Sequence, residues 1–138
     1  MGMTTLVLAE LFERVYVVDT FEGNPEDHLG ATAKSMGKNA VFAQFIENVK
    51  PYADKVHPRV CESVKAAGLM TEKADLIFID ANHEYENVKA DIEAWWPHVV
   101  QGGILCGHDY HSHGGVRQAV EEFGKDGVTA NVWYRVKS

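Results

Sequence analysis

The sequence predicts an α/β layer fold: a mostly parallel sheet with helices on both faces. Three observations carry this reading. Strand-type apolar runs alternate with segments of helical period along the chain. "LIFI", at 76–79, is apolar at every position, as in a strand covered on both faces. Three of the strand-type runs also end on polar, chemistry-bearing residues: Asp19, Asp80 and His108 with Asp109. Parallel α/β sheets place their sites in the crevice at the carboxyl ends of the strands, so these side chains are expected to face one crevice.

The elements follow in order. Leu6 to Phe12 has helical character, and "RVYVVD" (14–19) is a β-branched run of strand type. Residues 23–38 are polar and Gly-rich and read as a long loop. Val41, Phe42, Phe45, Ile46 and Val49 form a helical face that Pro51 closes. "KVHPRVC" (55–61) is a weaker strand, because Pro58 has no N–H to give to a central ladder. A short helix around Val64 to Leu69 precedes "ADLIFID" (74–80), the strongest strand. Tyr85, Val88, Ile92, Trp95 and Val99 then recur at helical spacing on a helix that Pro97 frays. Gly102 and Gly103 turn the chain into a strand from Ile104 to Gly107. Val116, Ala119, Val120 and Phe123 form the last helical face, with Gly124 as its C-cap. "NVWYRV" (131–136) alternates as a final strand. The chain opens on a helix after "MGM", whereas a doubly wound unit normally opens on a strand, so an upstream element is expected to be missing.

Bulk properties narrow the function classes. At 138 residues and 46% hydrophobic content, residues 1–138 are expected to form a single domain. The net charge of −7 and the lack of a Lys/Arg-rich patch argue against a nucleic-acid partner held through phosphates. Cys61 and Cys106 are isolated in or beside apolar runs and read as reduced core thiols. No apolar run approaches the ~20 residues that span a bilayer, and no signal peptide is visible, so the expected compartment is the cytoplasm.

Each strand-end cluster has two readings. Asp19 can accept hydrogen bonds from ribose hydroxyls, or it can cap the following turn. Asp80 and His83 form D-x-x-H, which suits a divalent-cation ligand and a general base; equally, Asp80 or Asn82 can cap the next helix. Asp80 with Asp109 would make an oxygen-rich site for magnesium, calcium or manganese. Adding His83 and His108 opens it to zinc, iron or nickel. His111 and His113, in a Gly-flanked loop, are expected to face solvent. Trp95 and Trp96 are expected in a core or interface.

"VYVVDTFEGNP", "ADLIFIDANHEYENVKADIEAWWPHVVQGGILCGHDY" and "GGVRQAVEEFG" resemble the class I S-adenosylmethionine-dependent methyltransferases. The branch is the one related to sugar and macrolide O-methyltransferases and cephalosporin hydroxylase-like proteins. The resemblance runs from about residue 2 to residue 124 and implies a Rossmann-like fold. It further implies that Asp19 binds the cofactor ribose, that Glu62 and Ser63 lie against the adenine, and that Asp80 sits beside the methionine end. Gly2 would belong to the tail of the family's Gly-rich cofactor loop. Asp80 and Asp109, with His108, would hold a divalent metal, magnesium first, and His83 would take the acceptor's proton.

The family's first strand and most of that loop have no counterpart here, and its antiparallel tail after residue 124 is short. The strands at 15–19 and 75–80 would then pair directly, leave a gap, or be completed by another chain. The expected function is metal-assisted O-methyl transfer to a small molecule or sugar, with weak or absent cofactor binding by this chain alone. Its rivals are a non-catalytic binding module and a metal-dependent enzyme that uses the Asp/His cluster without S-adenosylmethionine. Exposed strand edges also predict a homodimer or higher homo-oligomer.

Overall fold

The computed structural model describes residues 2–23 and 35–138. Most of the long loop read at 23–38 therefore lies outside the described residues. The chain forms two compact units, Met1–Ser63 and Val64–Ser138.

The first unit contains α1 (Met3–Leu11), β1 (Val15–Asp19), α2 (Lys38–Val49), a single 3₁₀ turn (Lys50–Tyr52) and β2 (Val56–Val60). β1 and β2 pair in parallel, from Val15 opposite Val56 to Asp19 opposite Val60. The i, i+4, i+8 spacing of Val41, Phe45 and Val49 puts all three on the buried face of α2, where they meet Ala9, Val15, Phe21 and Val56. Ile46, on the same predicted face, is instead 39% exposed. Pro51 ends α2 in the 3₁₀ turn, as expected. Among the described residues β2 has one strand partner, the edge position that Pro58 tolerates.

The second unit contains α3 (Ser63–Leu69, starting at the boundary), β3 (Ala74–Ile79), α4 (Tyr85–Trp95), a 3₁₀ turn (Trp96–His98), β4 (Val99–Gly107), α5 (Gly114–Phe123), β5 (Gly127–Thr129) and β6 (Val132–Val136). Its sheet has the order β3-β4-β6-β5. β3 and β4 are parallel, while β6 runs antiparallel to both β4 and β5. The α/β alternation and the parallel pairs β1–β2 and β3–β4 agree with the expected fold class.

Four local expectations change. β3 is only half-buried along its length, with a single strand partner among the described residues; β4 is the buried strand, with Leu105 at 0% exposure. Val99 opens β4 and does not extend α4, because the turn at Pro97 separates the two. Gly102 and Gly103 lie inside β4, where the β3 register slips between Ala74 and Leu76. Gly102 takes a left-handed φ of 80° there, the glycine-permissive conformation that a bulge uses. β5 has no signature in the sequence pattern, because "GVT" is too short to show a period-2 alternation.

Val88, Ile92 and Trp95 of α4 and Val116, Ala119 and Val120 of α5 are buried, and the two helices pack together. Trp133 of β6 is the largest fully buried side chain described. Cys61 and Cys106 are free thiols, as expected, but only Cys106 lies in the core, where burial pushes its thiol up to about 11; Cys61, beyond the end of β2, is half-buried.

Candidate active site

The site begins with strand pairing. Ile79 lies opposite Gly107, and the His108 N–H donates to the Ile79 carbonyl at 3.1 Å. Asp80 and His108 thus leave adjacent strand ends together. Gly107 allows this approach: a Cβ there would stand 2.6 Å from the Ile79 oxygen and 2.8 Å from the Trp133 indole nitrogen.

Asp109 then turns the chain with a left-handed φ of 65°, a conformation that Asp and Asn accept more readily than most residues. Its carboxylate is held from several sides. The Ser112 hydroxyl donates to Oδ1 at 2.7 Å and the Asn131 amide donates to the same oxygen at 3.3 Å. His108 Nδ1 lies 3.1 Å from Oδ1, and His83 Nε2 lies 3.0 Å from Oδ2. Asn131, in the β5–β6 turn, also donates to Ser112 Oγ (2.9 Å) and accepts the His111 N–H (2.7 Å) through its side chain. Its backbone carbonyl accepts the Tyr110 N–H at 3.2 Å. One asparagine therefore ties down the loop that carries Asp109. Asn131→Ala is expected to lower stability by about 0.5–1.5 kcal/mol, the usual net contribution of a hydrogen bond whose partners water can reach, as read by urea denaturation. A loss near zero would mean that water replaces the amide.

His83 is placed by the start of α4. Asn82 Oδ1 accepts the Glu84 N–H at 2.8 Å, and the Glu84 carbonyl accepts the N–H groups of Asn87 and Val88. The N-terminus of α5 crosses this segment so closely that a Cβ at Gly115 would meet the His83 carbonyl and, at 2.7 Å, the Tyr85 nitrogen. This crossing stacks the His113 ring on His83, with centroids 3.8 Å apart and planes 16° apart. His113, expected to face solvent, is instead half-exposed and part of the cluster. Its Nδ1 is buried without a hydrogen-bond partner among the described residues, 3.7 Å from Asp109 Oδ1. Its place follows from the tight crossing at Gly115, which the sequence pattern does not announce. His111 is exposed, as expected.

Electrostatics separate the two carboxyls. Asp80 keeps much of its surface open, yet the strand ends around its carboxylate strip enough water to raise its pKa. His108 and His83 pull that pKa down, and Asp109 pushes it up. Burial alone would raise Asp109 too, but the Ser112 hydroxyl bond, His108 and His83 more than offset it, so its pKa is lowered. Asp109 is thus the settled anion and Asp80 the under-compensated one. Asp80, His108 and Asp109 offer one donor atom each, all within 4.8 Å of one another. Two carboxylates and an imidazole at this spacing suit a divalent cation. They border a small, shallow, open cleft, also lined by Ile79, Asn82, His83 and Trp133.

The other sequence-predicted residues belong to the first unit. Asp19 is exposed and its Oδ1 accepts the Phe21 N–H at 2.7 Å, the turn-capping geometry. Gly2, with φ 83°, precedes α1, and its carbonyl accepts the Leu6 N–H. A Cβ at Gly2 would lie 3.3 Å from the Phe45 ring, so packing already asks for glycine there. Glu62 is exposed and Ser63 is half-buried at the start of α3.

Residues 1–110 match the family described as methyltransferase domain. The chain belongs to that family. Among solved structures, this methyltransferase-family chain is similar to the O-methyltransferase NovP, at 18% identity and a TM-score of 0.63, over 96% of this chain and 64% of that one. It is also similar to CalS11, a TDP-rhamnose 3'-O-methyltransferase of calicheamicin biosynthesis, at 15% identity and a TM-score of 0.57, covering 96% of this chain and 65% of CalS11. A third is the N-methyltransferase NodS from Bradyrhizobium japonicum in complex with S-adenosyl-L-homocysteine, at 14% identity and 0.63, covering 99% of this chain and 72% of NodS. At such low identities the structural similarity shows the fold alone, which is Rossmann-like. The chain spans a little under two thirds of the length of NovP and CalS11. A sequence search of curated proteins gave no match. Among the described residues, no helix is long and apolar enough to cross a membrane.

Proposed function

We propose that the chain belongs to an S-adenosylmethionine-dependent O-methyltransferase that acts on a hydroxyl of a small molecule or sugar. The observation that carries this reading is the convergence of Asp80, His83, His108 and Asp109 at two neighbouring strand ends of a methyltransferase-family chain. Asp80, His108 and Asp109 would hold a divalent cation, magnesium first. Bound there, the cation would orient the acceptor oxygen and lower its pKa. Gly2, Asp19, Glu62 and Ser63 are proposed to contact the cofactor, with Asp80 at its methionine end.

His83 is suited to take the acceptor's proton. With Asp109 Oδ2 accepting from Nε2–H, the ring's lone pair lies on Nδ1, which becomes the base. As the methyl group moves to the oxygen, the proton passes to Nδ1. Asp109 then faces an imidazolium, whose charge it stabilises through the same contact. Pairing of this chain with a second copy is part of the proposal, and light scattering that shows a monomer at high concentration would count against it.

Calorimetry with S-adenosylhomocysteine, with and without magnesium, tests the reading. Micromolar binding enhanced by magnesium supports it; no heat in either condition favours the non-catalytic binding module. Magnesium alone is expected to raise Tm, by the equivalent of about 2.7 kcal/mol at a hundredfold excess over its Kd. The pH dependence has a definite sign. Because the folded pKa of Asp80 is raised, its ionisation weakens the fold above the unfolded pKa, and a cation offsets that loss. As pH falls into that raised range, protons compete with the cation, so the magnesium-induced shift should shrink. A Tm shift that grows on acidification would rule out Asp80 as a ligand.

A further inference from the structure

We infer that His83, Asp109 and His113 form a second cation site, selective for zinc-like transition metals, that shares Asp109 with the Asp80, His108 and Asp109 set. The three residues offer donor atoms within 4.8 Å of one another. His83 Nε2 is already 3.0 Å from Asp109 Oδ2, and His113 Nδ1 is 3.7 Å from Oδ1, too far for a hydrogen bond. Ligands of a tetrahedral zinc at about 2.0–2.1 Å stand roughly 3.3 Å apart. Modest rotation of the stacked rings, fanning their lone pairs toward one point, would close the set.

The buried His113 Nδ1 is the decisive observation. An imidazole nitrogen sealed from water without a partner is disfavoured, and protein interiors rarely tolerate one. The α5 crossing sets this ring on His83 but leaves its Nδ1 without a hydrogen-bond partner, and a shared cation satisfies that orphaned atom. Two imidazoles and one carboxylate also discriminate by chemistry. Magnesium prefers oxygen donors in an octahedron, while zinc, nickel and cobalt accept nitrogen-rich sets.

Occupancy would have a functional consequence, which rests on the proposed role of His83. A metal on Nε2 displaces its proton, so the neutral ring carries its remaining proton on Nδ1. The lone pair assigned to proton abstraction is then gone. Zinc would act as an inhibitor that turns off the base and leaves the carboxylate-rich set's residues Asp80 and His108 untouched.

The test is calorimetric titration of the full chain with zinc chloride and, separately, magnesium chloride. It uses wild type, His113→Asn (asparagine is a good N-cap for α5) and His111→Asn as a neighbouring exposed control. The expected result is one tight zinc site in wild type, weakened about 10- to 100-fold in His113→Asn and unchanged in His111→Asn. Magnesium affinity should be the same in all three. Nitrogen-detected NMR of wild type adds a readout that needs no variant: zinc should shift the ring nitrogens of both His83 and His113. Zinc binding that survives His113→Asn, or zinc that leaves the His113 ring unmoved, overturns the inference. Absence of magnesium binding alongside the expected zinc result would count against the proposed carboxylate site and leave this one standing.

Discussion

Replacing His83 with glutamine is expected to lower the rate of methyl transfer by about 10²- to 10⁴-fold, the usual contribution of a positioned general base. Magnesium affinity should stay within a few fold of wild type, because His83 lies outside the Asp80, His108 and Asp109 donor set. Asp109→Asn should behave differently. Asparagine tolerates the left-handed backbone at 109 and keeps the side-chain shape, so the loop should hold. The charge that faces His83 and His108 is lost, however, and with it both the base's orienting partner and a cation ligand. Rate and magnesium affinity should fall together. Because the two residues act as one unit, the double variant should be little slower than Asp109→Asn alone. Single-turnover kinetics at saturating magnesium, alongside calorimetric affinities, separate the cases. A His83→Gln enzyme of full rate would remove the base assignment while leaving the cation site intact.

What the sequence disclosed about this site follows from how local each cause is. Strand ends are legible: "LIFID" and "ILCGHD" announce where β3 and β4 stop, and parallel pairing then puts Asp80 beside His108. The pairing of His83 with Asp109 is also consistent with that topology. His113 was not legible, because its position depends on a helix crossing. Only the space demanded at Gly115 reveals that α5 passes against the chain at 83–85. Asn131 was invisible for a related reason. It reaches Asp109 from 22 residues away through an antiparallel hairpin whose first strand is three residues long.

The fold shows the same division. Helical faces with four-residue spacing, such as Val41, Phe45 and Val49, come through because the period is set by backbone geometry alone. The burial of a strand does not. β3 is more uniformly apolar in sequence than β4, yet β4 is the buried one, because burial depends on how many neighbours the strand order supplies. Val99 misleads for a third reason. It falls in phase with the α4 face, but the turn at Pro97 resets the chain before it.

Trp133→Ala should cost about 3–5 kcal/mol, the range for deleting a buried aromatic side chain. That is a large share of the ~5–15 kcal/mol that holds a typical domain folded. Trp133 is 1% exposed and stands opposite Gly107 in the β4–β6 pairing. Its indole occupies the space that a side chain at 107 would need, and it also lines the cleft beside His108 and Asp109. Removing it leaves a void directly beneath the strand end that carries the candidate ligands. The stability loss should therefore be accompanied by weaker magnesium binding, even under conditions where the variant is folded. Trp133→Phe separates the two effects: it keeps a ring against Gly107, so it should lose less stability and retain magnesium affinity. Urea denaturation followed by circular dichroism, paired with magnesium calorimetry on the folded variants, gives both readouts. A loss below about 1 kcal/mol for Trp133→Ala would mean that β6 collapses into the void, and the strand end would then owe its position to the Ile79–His108 backbone bond instead.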